Sequence, residues 1–127
     1  MSAIDAVTRD LLEHTEVLTL VTQGPDGPHV VGNWGDYARR LGFDDGRIVL
    51  PAGHYHQTEE NLRRDNRIQM MAGSRAVRGS RGPGQGCVIR GTASVQTEGE
   101  AFDRTRAAFP WARGALVIAI ESIQMQL

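Results

Sequence analysis

Six runs rich in β-branched and aliphatic residues recur along the 127-residue chain, at 17–22, 29–34, 47–50, 67–72, 87–95 and 113–123. Only short helical patterns lie between or around them. That spacing does not fit the regular strand–helix alternation of a doubly wound parallel sheet. It predicts a mainly β fold: a small closed barrel of six strands with Greek-key connections and a few short helices. Closure removes the sheet's edges, which leaves an apolar outer face free to pair with a second copy.

The connections give the order of pairing. Gly24-Pro25-Asp26-Gly27-Pro28 is a strong turn signal, so the first two runs form a hairpin. Gly32 inside the second run weakens a strand unless backbone or ligand approaches it closely. Asp45-Gly46 marks another turn. The stretch from Gly73 to Gly86, rich in Gly, Arg, Ser and Pro, reads as a 14-residue loop carrying Arg75, Arg78 and Arg81. Gly91 in the long fifth run suggests a bulge. Ile4, Val7, Leu11 and Leu12 fall on one helical stripe near the start, with Asp5 at its head. Phe102, Thr105 and Phe109 share a face of a later helix that stops before Pro110. No repeat or linker divides the chain, so residues 1–127 are expected to form one domain.

One junction carries a chemical expectation. After Ile48-Val49-Leu50 the chain meets Pro51 and Gly53, and Thr58-Glu59-Glu60 then looks like the capped first turn of a helix reaching about Arg64. A helix entered this way presents unpaired backbone N–H groups and the positive end of its dipole, which together suit a phosphate. A plain strand-to-helix connection would have the same sequence. Trp34 and Tyr37 follow the second run closely; such aromatics line a core or rim, and also stack beside planar ligands.

Composition narrows the chemistry. The formal net charge is −1, with 14 basic and 15 acidic residues, which gives no electrostatic reason to expect nucleic acid or an anionic membrane as partner. No apolar run approaches the roughly 20 residues of a membrane span, and the acidic start lacks the features of a signal peptide, so a cytoplasmic protein is expected. Every basic residue is arginine. Without lysine the chain has neither a P-loop lysine nor a Schiff-base lysine. Cys87 is the sole cysteine and sits in an apolar run, where a buried thiol is the default. His54 and His56 alone do not make a metal site, and no residue stands out as a catalyst.

Several dispersed motifs resemble one family when taken together. They are Val21-Thr22-Gln23-Gly24-x-Asp26-Gly27-Pro28-His29, Asn33-Trp34-x-x-Tyr37, Arg47-Ile48-Val49-x-Pro51, and Gly53 through Thr58-Glu59-x-Asn61. Gly73-Ser74-Arg75, Gly82-Pro83-Gly84-x-Gly86-x-x-Ile89-Arg90-Gly91 and Trp111-Ala112-Arg113-x-Ala115-Leu116-Val117-Ile118 continue in register. They resemble the pyridoxamine-phosphate-oxidase-like FMN-binding split barrels, in particular the small members from sulfate-reducing bacteria. The resemblance runs from about residue 15 to Leu127.

The resemblance implies a homodimer with two FMN sites at the subunit interface. By position, Gly53, Gln57 and Thr58 would surround the phosphate, and Pro51 would also belong to the cofactor site. Val31, Gly32, Asn33 and Trp34 would line the flavin, with Tyr37 and Trp111 near the ring. Leu127 would approach from the partner subunit. Family members carry a lysine at this junction, where this chain has His56-Gln57-Thr58. The phosphate charge would therefore fall to backbone donors, Thr58 and Arg75. The implied activity is electron transfer or flavin-dependent redox chemistry with an unidentified redox partner. The alternatives are a flavin- or deazaflavin-dependent reductase of a small molecule, and a cofactor-free dimeric barrel that binds some other ligand.

Overall fold

The computed structural model describes residues 4–44 and 46–127. Asp45 of the expected Asp45-Gly46 turn lies outside them. Strands β1 (Val17–Gly24), β2 (Gly27–Trp34), β3 (Phe43–Asp44), β4 (Arg47–Ala52), β5 (Arg67–Gly79), β6 (Gly82–Gln96) and β7 (Gly114–Met125) form a single sheet. Helices α1 (Ala6–His14), α2 (Gly35–Leu41), α3 (His56–Arg64) and α4 (Glu100–Ala108) are short. All pairings are antiparallel, in the order β2-β1-β5-β6-β7-β4-β3.

Two expectations are corrected here. The sheet has seven strands among the described residues, because the two-residue β3 is too short to leave a periodic signal. It is also not closed by backbone pairing: β2 and β3 are its two ends. The ring is completed near its top by side chains. Asn33 Nδ2, at the end of β2, donates to the Pro51 carbonyl of β4 at 3.3 Å and to the Tyr55 hydroxyl at 3.0 Å. That hydroxyl in turn donates to the Gly32 carbonyl. The barrel therefore has a seam between β2 and β4, bridged by Asn33 and Tyr55.

The expected 14-residue loop at 73–86 is in fact a hairpin. Strands β5 and β6 stay paired as far as Gly79 and Gly82, with an irregularity between Ser74 and Arg78 and a turn at Ser80 and Arg81. Its glycines suggest a loop by composition, yet close packing uses them. A Cβ at Gly79 would stand 2.4 Å from the Gly84 carbonyl oxygen, and Gly73 pairs with Gly86 across the ladder. Val77 supplies the single apolar anchor and is buried in the main core.

Alternation of buried residues places the core. Leu18 and Leu20 of β1, Ile68 and Met70 of β5, Ile89 of β6 and Leu116, Ile118 and Ile120 of β7 point inward with Leu11 and Leu12 of α1. Each fully buried side chain of this size contributes about 2 kcal/mol. Val7, expected on the same helical stripe, is 41% exposed instead. Asp5 caps α1 as expected, accepting from the Thr8 N–H at 2.8 Å. A second cluster joins Leu41, Val49, Phe109, Ala115 and Val117, where α2 and α4 cover the outer side of β4 and β7. Strand β4, and β7 as far as Ile120, are buried on both faces, which explains their continuous apolar runs. Gly91 marks the expected bulge: the register shifts between Arg90 and Gly91.

Candidate functional site

A cleft of about 430 Å³ opens where β2 and β4 part. Gly32, Asn33 and Trp34 line it from β2, Tyr37 from α2 and Pro51 from β4. Gly53 to His56 form one end, with Trp111 and Arg113 from the segment leading into β7. Helix α2 positions Tyr37. The sequence pattern missed this helix, since it starts at a glycine and has only seven residues. Tertiary contacts hold it instead: Arg39 Nη1 donates to the carbonyls of Leu12 and Thr15 at 3.0 and 2.9 Å, and a Cβ at Gly35 would stand 1.9 Å from Thr15 O.

The walls are aromatic. Tyr37 packs on buried Phe109 with ring centroids 4.7 Å apart, and Trp111 lies 5.8 Å from Tyr37 and 5.7 Å from Phe109. Trp34 and Trp111 are 50% and 55% exposed, far more than core aromatics of this size. A Cβ on Gly53 would come within 3.3 Å of the Trp111 ring, so glycine lets the indole lie over the loop. Burial raises the Tyr55 pKa above its usual 10.0, only partly offset by its hydrogen bond from Asn33. At neutral pH the phenol therefore keeps its proton and remains a donor to Gly32.

The first turn of α3 closes one end of the cleft. Tyr55 is its N-cap residue and makes no side-chain cap bond. Thr58, expected to be that cap, is the third helical residue. Its side chain is fully buried, and its Oγ1 has no hydrogen-bond partner. Arg113 lies against the same turn. Its Nε donates to the Gly53 carbonyl at 3.1 Å, and Nη1 reaches both carboxylate oxygens of Glu59 at 3.1 and 3.2 Å. Its Nη2 is buried and unpartnered. Buried polar atoms without partners are uncommon and call for a cause.

The structure brings Gly32, Asn33, Trp34, Tyr37, Pro51, Gly53 and Trp111 together on this cleft. Thr58 lies in the α3 turn at the end of the cleft, while Val31, Gln57, Arg75 and Leu127, the last expected from a partner subunit, do not line it within one chain. Val31 is half-buried and packs against the barrel core, because alternation along β2 turns it inward from its neighbours. Gln57 is exposed, and its side chain donates to Asn61 at 2.8 Å. Arg75 and Leu127 line a separate hollow at the β5–β6 hairpin, with Ser74 and Gln85. Within one chain, then, Arg75 is not at the α3 turn where it was expected to offset charge. His54, Tyr55, His56 and Arg113 line the cleft without having been expected there. The lone signal for Arg113 was its place in the Trp111-Ala112-Arg113 run. Exposed His54 and His56 have ring centroids 6.2 Å apart, and no group of three or more metal-ligating side chains occurs among the described residues.

Comparison with known proteins agrees in sequence and in fold. The profile of the family described as pyridoxamine 5'-phosphate oxidase matches residues 4–126. A relative from Nitratidesulfovibrio vulgaris (strain Miyazaki F), named FMN-binding protein, is 46% identical over 118 residues, covering 93% of this chain and 94% of its own. Among solved structures, a variant of HupZ from Group A Streptococcus superimposes with a TM-score of 0.77 at 21% identity, covering 97% of this chain and 99% of its own. An FMN-binding protein from Syntrophomonas wolfei gives 0.65 at 19% identity, covering 94% and 88%. At such identities the two structures bear on the fold alone.

Proposed function

This chain belongs to the pyridoxamine 5'-phosphate oxidase family, and from that premise we propose that it is an FMN-binding flavoprotein that accepts and donates electrons. The observation that carries the reading is the seam cleft itself. It has aromatic walls of planar-ligand size and, at one end, a helix N-terminus flanked by two orphaned polar atoms. The N. vulgaris relative's name supports FMN as the ligand. The residues present fit such a group, because a phosphate offers acceptor oxygens to the donors left unpaired around α3.

FMN, when bound, supplies the redox chemistry through its ring system. The chain supplies position and exclusion of water. Trp34, Tyr37 and Trp111 form apolar walls for the ring. Asn33 and Tyr55 hold the seam at fixed width and fill the hydrogen-bonding needs of the Gly32 and Pro51 carbonyls. The backbone N–H groups of the first α3 turn, with Thr58, would hold the phosphate. Tyr55 holds its proton and is no general base at neutral pH. The cleft thus suits electron exchange with a separate redox partner.

The working unit in this reading is a homodimer. Val17, Thr19 and Val21 of β1 share one face with Trp34, Gly32 and Val30 of β2 and with Met71 of β5, as the registers require. Val17, Val30, Trp34 and Met71 are 46%, 60%, 50% and 42% exposed, which makes an apolar strip of the kind a partner covers. Trp34 belongs both to this strip and to the cleft, so a second copy would border the site. A solution mass of twice 13.9 kDa is the expected result.

Titration with FMN, followed by flavin fluorescence, tests the function. The parent protein is expected to bind FMN and quench its emission, while Trp34→Ala binds FMN but leaves it brighter. A protein that leaves FMN emission unchanged, or a Trp34→Ala variant as dark as the parent, would contradict the placement of the ring.

A further inference from the structure

We propose that Arg113 is the cation that receives the cofactor's phosphate, with Glu59 as the positioning residue that holds it ready; this rests on the flavin reading above. The chain contains no lysine, so the cationic partner of a phosphate dianion must be arginine or histidine, beside hydroxyl and backbone donors. Among the residues lining the cleft, Arg113 is the arginine. A guanidinium carries five N–H donors in a rigid fork. In Arg113 the Nε donor is taken by the Gly53 carbonyl, and Nη1 by the two oxygens of Glu59. The Nη2 donors remain, buried and unpaired.

A second, independent observation points to the same place. Thr58 is fully buried, and its hydroxyl has no partner. It sits in the first turn of the nine-residue α3, beside Glu59, and helical side chains lean toward the N-terminus. Three buried side-chain polar atoms lack partners among the described residues; two of them, Thr58 Oγ1 and Arg113 Nη2, adjoin this one turn. Oxygen acceptors of a phosphate monoester at this turn would offer each of them a partner, and the turn's free N–H groups would add to them.

The charges also favour an anion there. Arg63 Nη2 lies 3.4 Å from the same Glu59 carboxylate that Arg113 engages. Two guanidinium groups thus share one carboxylate, which leaves one formal positive charge for the incoming dianion. Glu59 is 11% exposed and binds Arg113 through both oxygens, so it fixes the guanidinium plane before any ligand arrives. His54, His56 and Trp111 form the exposed part of the wall.

FMN and riboflavin differ only by the phosphate, so their paired affinities isolate this contact. The full chain, freed of bound flavin, is titrated with each, by fluorescence, as parent, Arg113→Met, Arg113→Lys and Glu59→Gln. Arg113→Met is expected to weaken FMN about 30-fold, the loss of a charge-assisted hydrogen bond, with riboflavin affinity unchanged. Arg113→Lys, which keeps the charge but loses the fork, should fall between. Glu59→Gln gives up one of the two carboxylate oxygens that fix the guanidinium plane, and is expected to weaken FMN a few-fold with riboflavin unchanged; parental FMN affinity in this variant would remove Glu59 from the positioning role. Equal weakening of both flavins in Arg113→Met, or a folded Arg113→Met with parental FMN affinity, would overturn the assignment and leave the flavin reading standing. A parent protein that binds neither flavin would overturn both.

Discussion

The barrel is joined in two different ways, and the contrast explains where its site lies. Along β1-β5-β6-β7 the strands are held by backbone ladders interrupted only by local irregularities, fifteen-residue β6 being the longest. Between β2 and β4 there is no ladder among the described residues, and the hydrogen bonds of Asn33 and Tyr55 span the gap. A ladder consumes the backbone's hydrogen-bonding groups within the sheet. A seam leaves carbonyls such as those of Gly32, Pro51 and Gly53 to be met by side chains, each of which has its own shape and chemistry. Rigid packing on one side thus supports a region on the other where backbone and side chains are free to meet a ligand.

The two regions should respond differently when broken. The largest effect is expected on the ladder side. A Cβ at Gly91 would lie 1.9 Å from the Ala119 carbonyl oxygen, a backbone atom that cannot turn away. Gly91→Val should therefore cost about 3 kcal/mol in urea unfolding, while the fraction that remains folded binds FMN normally. At the seam, Asn33→Leu keeps the volume but leaves the Pro51 carbonyl without its donor. Its expected cost is about 2 kcal/mol, with a loss of FMN affinity in fully folded protein. If Asn33→Leu spared FMN binding, or Gly91→Val abolished it in folded molecules, the division between the two regions would fail.

Tyr55→Phe gives the smallest effect, about 1 kcal/mol for a lost hydrogen bond, and it sharpens the comparison through pH. Burial raises the folded-state pKa of Tyr55, so its stabilising effect is fully present below the ordinary value of 10.0 and is lost as pH rises through the higher folded value. The parent should lose more stability than Tyr55→Phe over that alkaline range. Parallel stability curves for the two proteins would mean that the hydroxyl does not bridge the seam in solution.

The sequence made the ladder side legible and the seam only partly so. Hydrophobic runs, the turn at Pro25-Asp26 and the Gly91 bulge depend on neighbours in sequence, and each stands where the pattern put it. The hairpin at 73–86 was obscured because its glycines serve close strand pairing rather than flexibility, and Val77 alone marks its buried side. The aromatic wall was legible because Trp34, Tyr37 and Trp111 are conspicuous residues near strand ends. Tyr55 and Arg113 were not. Tyr55 meets Gly32 from 23 positions away, and Arg113 meets Gly53 from 60. Neither separation leaves a trace in local periodicity. Thr58 shows a subtler limit: its residue type suits a cap, but the helix starts two residues earlier and buries it.

The most direct test of the central claim is the visible absorption spectrum of the purified protein, with identification of what heat releases from it. The expected result is the pair of bands of oxidised flavin, bleached on reduction, with FMN in the supernatant. A colourless protein that also fails to take up added FMN would contradict the account, and the seam cleft would then need a different ligand.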